Sequence, residues 1–134
     1  MGYIPHQVTE DMIVGTFLRD GDCVVDVGAN IGYFSLLCAG YVGNGEVHSF
    51  EPSSITFEYL KKVASRMKKI KPWHLAVSNI SGMVRFRDEL MSDRSHIADS
   101  QDERGYPVQC CSIDDWVAKN QIARIDFIKI DAEA

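Results

Sequence analysis

A doubly wound α/β fold, a parallel sheet with helices on both faces, is predicted by three observations. Short β-branched runs bounded by turn residues alternate with longer amphipathic runs, in the order strand, helix, strand, helix, strand. A glycine-containing turn, "DVGANIG" (residues 26–32), follows the first of these strands. An acid, Glu51, closes the second strand about 20 residues after that turn, where such folds place a ribose ligand.

Each element has its own local cause. Thr9 is placed to cap a first helix, with Glu10 and Asp11 in its first turn and Met12, Ile13, Phe17 and Leu18 expected to face inward. "RDGD" ends that helix, and "CVVDV" reads as a buried strand. A helix from about Gly32 to Tyr41 follows, then the strand "EVHSFEP", which Pro52 stops. Ser53 or Ser54 caps a long helix to about Met67, whose Leu60, Val63, Ala64 and Met67 supply the buried stripe. "PWHLAV" is the third strand.

Beyond it, "SNISG" makes a turn and "MVRFR" alternates apolar and basic residues, the pattern of an antiparallel edge strand with one wet face. Residues 88–105, "DELMSDRSHIADSQDERG", lack an apolar period and are expected to form a long mobile loop of the lid kind. "PVQCCSI" returns as a strand, and Ser112 with Asp115 forms a capping box for the helix in "IDDWVAKNQ". "IDFIKID" is expected to be a further buried strand. No repeat or linker divides the chain, so residues 1–134 are expected to form a single domain.

Composition bounds the class. A chain of 134 residues with 46% hydrophobic and 25% charged residues suits one domain with an ordinary core. Its longest apolar runs are broken by glycine and fall short of a membrane span. "MGYIPHQVTE" lacks the charged and apolar regions of a secretion signal, and His6 stands where a myristoylation motif needs Ser or Thr, so a cytoplasmic location is expected.

Cys23 and Cys38 fall in apolar segments, Cys110 and Cys111 are adjacent, and no CxxC pair exists. Reduced thiols are therefore expected, with neither a zinc site nor a redox motif. The net charge is −5, yet "KKVASRMKKIK" holds six basic residues and no acid. Lys61, Lys62, Lys68 and Lys69 are expected on the solvated face of the long helix, with no nucleic-acid or membrane partner.

The turn at residues 26–32 carries the chemistry. In a doubly wound sheet the ligand lies beyond the carboxyl ends of the strands. Gly28 and Gly32 allow close approach of the backbone, Asn30 tolerates a left-handed conformation, and the helix that follows offers N–H groups that suit a carboxylate or phosphate. The dinucleotide fingerprint GxGxxG is not met, because the middle glycine is missing and the last comes one residue early. No Gly-Lys-Ser/Thr follows, which disfavours a P-loop. Asp26 would repel a pyrophosphate and attract an ammonium group, while Glu51 can accept both hydroxyls of a ribose. S-adenosyl-L-methionine (SAM) has the ribose and the amino group and lacks a pyrophosphate.

"DVGANIGYFSL", "VHSFEPS", "LAVSNISGMVRF", "CSIDDW" and "IDFIKIDAEA" together resemble, in order, the FkbM family of class I SAM-dependent methyltransferases. The resemblance implies a Rossmann-like sheet of strand order 3-2-1-4 with an antiparallel edge addition. It implies that Asp26, Gly28, Asn30 and Gly32 line the methionine end of SAM, that Glu51 holds the ribose with Pro52 shaping the turn, and that Ala76 and Val77 flank the adenine. Gly28 and Gly32 can alternatively serve strand-to-helix packing, and Glu51 can be a solvated strand-end acid. Family members usually continue past "IKIDvEG", whereas this chain reads "IKIDAEA", so a truncated sheet is expected, the remainder belonging to a longer protein or to a partner.

The activity implied is O-methylation of a hydroxyl on a sugar, polyketide or similar small-molecule or glycan acceptor. An alcohol must lose its proton, and Asp131 and Glu133 are the candidate acceptors, although Asp131 can instead pair with Lys129 two positions earlier. No metal is expected at that pair. A SAM-binding domain without turnover and an NAD-binding domain are the rival readings. An uncovered outer edge on the "IDFIKID" strand implies a homodimer through residues 125–134.

Overall fold

The computed structural model describes residues 9–88, 96–98 and 104–131. The Thr9 hydroxyl accepts from the Met12 N–H and opens helix α1 (Glu10–Phe17). Only a narrow stripe of this short helix is covered. Val14 and Leu18, one turn apart, are buried, whereas Met12, Ile13 and Phe17 are exposed, which corrects the inward face expected for those three. β1 (Cys23–Val27) follows, with Val24, Val25 and Val27 all buried, as befits a strand covered on both faces.

α2 (Tyr33–Ala39) begins at Gly32, and β2 (Glu46–Phe50) returns parallel to β1. Ser53 caps α3 (Ser54–Arg66) by accepting from the Thr56 N–H at 3.2 Å; Leu60 is fully buried, and Val63, Ala64 and Met67 are partly buried against the core. Lys69, expected on the solvated face, instead donates to the carbonyls of Ala39 and Gly43 at 3.2 and 2.6 Å, where it closes the C-terminal end of α2.

The expected third strand is broken. β3 (Ile70–Trp73) pairs with β2, but β4 (Ala76–Val77) leaves for a second sheet formed with β5 (Gly82–Arg87), β6 (His96–Ala98) and β7 (Tyr106–Cys111). In that sheet the order is β4-β7-β5-β6. β4 lies parallel to β7, while β5 runs antiparallel to both its neighbours. "MVRFR" is therefore an interior strand of a separate sheet and not an edge addition to the first. β6 falls within the stretch expected to be a loop, because Ile97 gives that polar stretch one apolar side chain to set against Val84, Phe86 and Val108. The rest of the expected lid lies outside the described residues.

The Ser112 hydroxyl accepts from the Asp115 N–H at 3.0 Å and opens α4 (Ile113–Asn120). Asp115 does not return the bond as a capping box would; its carboxylate takes the Ser81 hydroxyl. β8 (Phe127–Ile130) pairs with β1 and completes a parallel sheet of order β3-β2-β1-β8, the expected 3-2-1-4 arrangement. β8 is not buried as expected: Ile128 and Ile130 are 45% and 71% exposed, because among the described residues its only strand neighbour is β1.

The strand period of two divides the core of this sheet. Val24 and Val47 face α1, α2 and α3 with Val14, Phe34 and Cys38, where burial pushes the Cys38 thiol up to about 12. Val25, Val27 and Phe50 face α4. There the Trp116 ring meets Phe50 and Trp73 edge-on, at centroid distances of 5.1 and 5.7 Å.

A candidate nucleoside site at the strand ends

Gly28, Asn30 and Gly32 have φ of 77°, 55° and 96°, so the chain curls through three left-handed positions between β1 and α2. Curling turns the backbone toward the end of β2. The Gly28 and Ala29 N–H groups both donate to the Phe50 carbonyl, at 3.0 and 2.9 Å, and the Asn30 N–H donates to Glu51 Oε2 at 2.8 Å. The Ser53 N–H donates to Glu51 Oε1 at 2.8 Å. One buried carboxylate thus ties two loops together.

Glu51 is 6% exposed, and burial pushes its carboxyl above the ordinary range while the two N–H groups pull it back. Each carboxylate oxygen has two acceptor positions, so each keeps one for a ligand hydroxyl. Glu51 forms part of the wall of a cavity of about 650 Å³. That volume lies in the range of small-molecule sites. Gly28, Asn30, Pro52, Ala76, Val77 and Asp131 line the same cavity, so seven of the expected site residues converge.

Asp26 and Gly32 do not reach it. Asp26 is wholly buried on the α2 side, where its Oδ2 accepts from Ser35 Oγ at 2.6 Å and its Oδ1 faces Lys129 Nζ at 3.4 Å. Ser35 has one proton and gives it to Asp26, so Ser49, 2.7 Å away, donates to Ser35. Burial pushes the Asp26 carboxyl up; the Ser35 bond and the Lys129 charge oppose it. Lys129, and not the expected Asp26, lines the cavity, with its Nζ 5.0 Å from the centre of the Phe34 ring. A Cβ on Gly32 would stand 3.0 Å from Leu60 Cδ1, so Gly32 serves packing under α3.

Asp131 pairs with Lys129, the alternative expected of it, and stands at the cavity wall. Its N–H donates to the Val27 carbonyl at 3.0 Å, and its exposed carboxylate lies 3.6 Å from Lys129 Nζ at the cavity wall. Glu133 lies outside the described residues. Besides Lys129, sequence reasoning missed the apolar walls Phe34, Leu75, Phe86 and Ile97. Lys129 had a signal, a lysine within "FIKI" in register with the acid of "VVDV". Phe86 and Ile97 had none, because they come from the second sheet.

The N–H groups of Gly28, Ala29, Asn30 and Gly32 are all committed to protein oxygens. Such a turn makes a poor phosphate cradle, which agrees with the missing dinucleotide spacing. A ribose-bearing ligand without a pyrophosphate fits these residues. A family model described as the methyltransferase FkbM domain matches residues 26–133. The chain belongs to this family.

The FkbM domain described here has the Rossmann-like, doubly wound sheet of class I methyltransferases. Among curated proteins it is 46% identical over 72 residues to the 31-O-demethyl-FK506 methyltransferase FkbM of Streptomyces tacrolimicus. That match covers 53% of this chain and 28% of the relative, so the FkbM domain here spans under a third of that protein's length. Pyrococcus horikoshii TYW2, solved in complex with MeSAdo, is 25% identical with a TM-score of 0.45, over 57% of this chain and 30% of that one. An rRNA methylase from Streptococcus thermophilus is 14% identical with a TM-score of 0.43, over 51% and 46% of the two chains. No described helix of the FkbM domain is long and apolar enough to cross a membrane. No group of three His, Cys, Asp or Glu among the described residues is placed to hold a metal.

Proposed function

We propose that this FkbM domain binds SAM in the cavity at the strand ends and serves O-methylation of a hydroxyl on a sugar, polyketide or similar small metabolite. The observation that carries the reading is Glu51, a buried carboxylate fixed through both oxygens by Asn30 and Ser53 and still able to accept two ribose hydroxyls. Ala76 and Val77, with Leu75 and Phe86, give the adenine an apolar slot, and Lys129 supplies positive charge beside the turn for the methionyl carboxylate. When bound, SAM supplies an activated methyl group for in-line displacement. The chain's part is positioning, which can account for much of the acceleration. Asp131, exposed at the cavity wall, is the group that takes the proton of an acceptor alcohol.

Isothermal titration of the 134-residue chain tests the reading. S-adenosylhomocysteine is expected to bind and NAD is not; NAD binding without S-adenosylhomocysteine binding would overturn the assignment. Transfer of labelled methyl from SAM to hydroxylated metabolites then separates an enzyme from a domain that binds without turnover.

The uncovered side of β8 supports a proposal about assembly, a homodimer joined through residues 125–134. Ile128 and Ile130 stand on an edge whose N–H and C=O groups have a strand partner only on the β1 side among the described residues. Light scattering of the chain at micromolar concentration is expected to give a dimer mass, reduced to a monomer by Ile130→Lys. A wild-type monomer would sink this part of the proposal.

A further inference from the structure

The second sheet meets the first turn of α3 at Tyr106. Its hydroxyl oxygen accepts from the Ser54 N–H at 3.0 Å, and the hydroxyl donates to Asp88 Oδ2 at 2.8 Å. A phenol has one proton, so Asp88 decides where it points and leaves a Tyr106 lone pair for Ser54. Burial pushes the phenol above its ordinary value, which keeps that proton in place at neutral pH.

The Ser54 N–H is one of the donors that a helix cannot satisfy in its own first turn, and the capping hydroxyl of Ser53 is already committed to Thr56. One residue earlier, the Ser53 N–H holds Glu51 Oε1. Asp88, Tyr106, the Ser54 and Ser53 amides and Glu51 therefore form one continuous rank. Tyr106 also packs edge-on against Phe86, a residue of the cavity wall, at 5.9 Å between ring centroids.

We propose that Tyr106 is a positioning residue for Glu51: its hydroxyl, oriented by Asp88, fixes the N-terminus of α3 and so aims the Glu51 carboxylate at the ribose hydroxyls of the ligand. The inference rests on the proposed SAM site and adds to it a dependence on the second sheet. A strut that merely held the cavity together would affect every ligand alike. A positioning role affects the ribose hydroxyls alone.

Titration of wild type, Tyr106→Phe and Asp88→Ala with S-adenosylhomocysteine and with its 2′,3′-dideoxy analogue separates the two. Tyr106→Phe is expected to weaken S-adenosylhomocysteine by roughly fivefold to twentyfold, the loss of about one hydrogen bond, and to change the dideoxy analogue by less than about twofold. Asp88→Ala, with the phenol kept, is expected to act in the same direction and carries the test if Tyr106→Phe fails to melt cooperatively. Equal weakening of both ligands, or no weakening of either, would overturn the inference and leave the SAM site standing. Failure of wild type to bind S-adenosylhomocysteine would overturn the site itself, and the inference with it.

Discussion

Lys129→Met is expected to destabilise the domain by about 3–5 kcal/mol at neutral pH, the usual result of removing one partner of a buried ion pair. Methionine keeps the apolar stem over Phe34, so the loss isolates the charge. Asp26 is wholly buried, and without Lys129 its Oδ1 faces no cation among the described residues. In the folded wild type burial already holds the Asp26 carboxyl above its ordinary value of 3.8, with Lys129 among the groups opposing the shift. Removing that opposition raises the carboxyl further.

The sign of the pH dependence follows. A carboxyl raised on folding destabilises the native state fully above its folded pKa and ceases to do so below its unfolded one. The deficit of Lys129→Met should therefore shrink as pH falls from neutral toward about 4, the region of an unperturbed aspartate. Adding Asp26→Asn should recover much of it at neutral pH. Urea denaturation followed by circular dichroism, at neutral and mildly acidic pH, measures both effects. A deficit that is the same at both pH values would show that Lys129 acts through packing.

Glu51→Ala is expected to weaken S-adenosylhomocysteine by about 1.5–3 kcal/mol, the range for hydrogen bonds to a charged group. Glutamine should be a poor substitute. Its amide presents one oxygen and one NH₂, so one of the Asn30 and Ser53 N–H groups would meet another donor. The ionised form of Glu51 is the one that accepts from both amides, and burial raises its carboxyl. Affinity should accordingly decline on acidification at a higher pH than an exposed glutamate would give. Unchanged affinity in Glu51→Ala would refute the ribose assignment.

Much of this site is legible in the sequence because its parts are local. The turn at residues 26–32 needs left-handed residues, and Gly28, Asn30 and Gly32 provide them. Glu51 follows from its place at a strand end, and Thr9, Ser53 and Ser112 each cap the helix expected of them. What was not legible depends on distant contacts. Val14 is buried in place of Met12 and Ile13 because α1 presents a single stripe to the core. "PWHLAV" reads as one strand, yet Ala76 and Val77 find their partners in Cys110 and Cys111, more than thirty residues away. Asp26 reads as a ligand because a lone acid in an apolar strand suggests one. Its partners, Ser35 and Lys129, reach it only once α2 and β8 have packed against β1.

The aromatic cluster under α4 has an optical consequence. The chain has two tryptophans, and Trp73 and Trp116 meet edge-on in the same cluster with Phe50. Intrinsic fluorescence therefore reports from a single place, the seam between α4 and the parallel sheet. Phe50 belongs both to that seam and to the cavity wall, so the emission is wired to the ligand site without any introduced label. The second sheet contributes no indole among its described strands and stays dark to the same measurement.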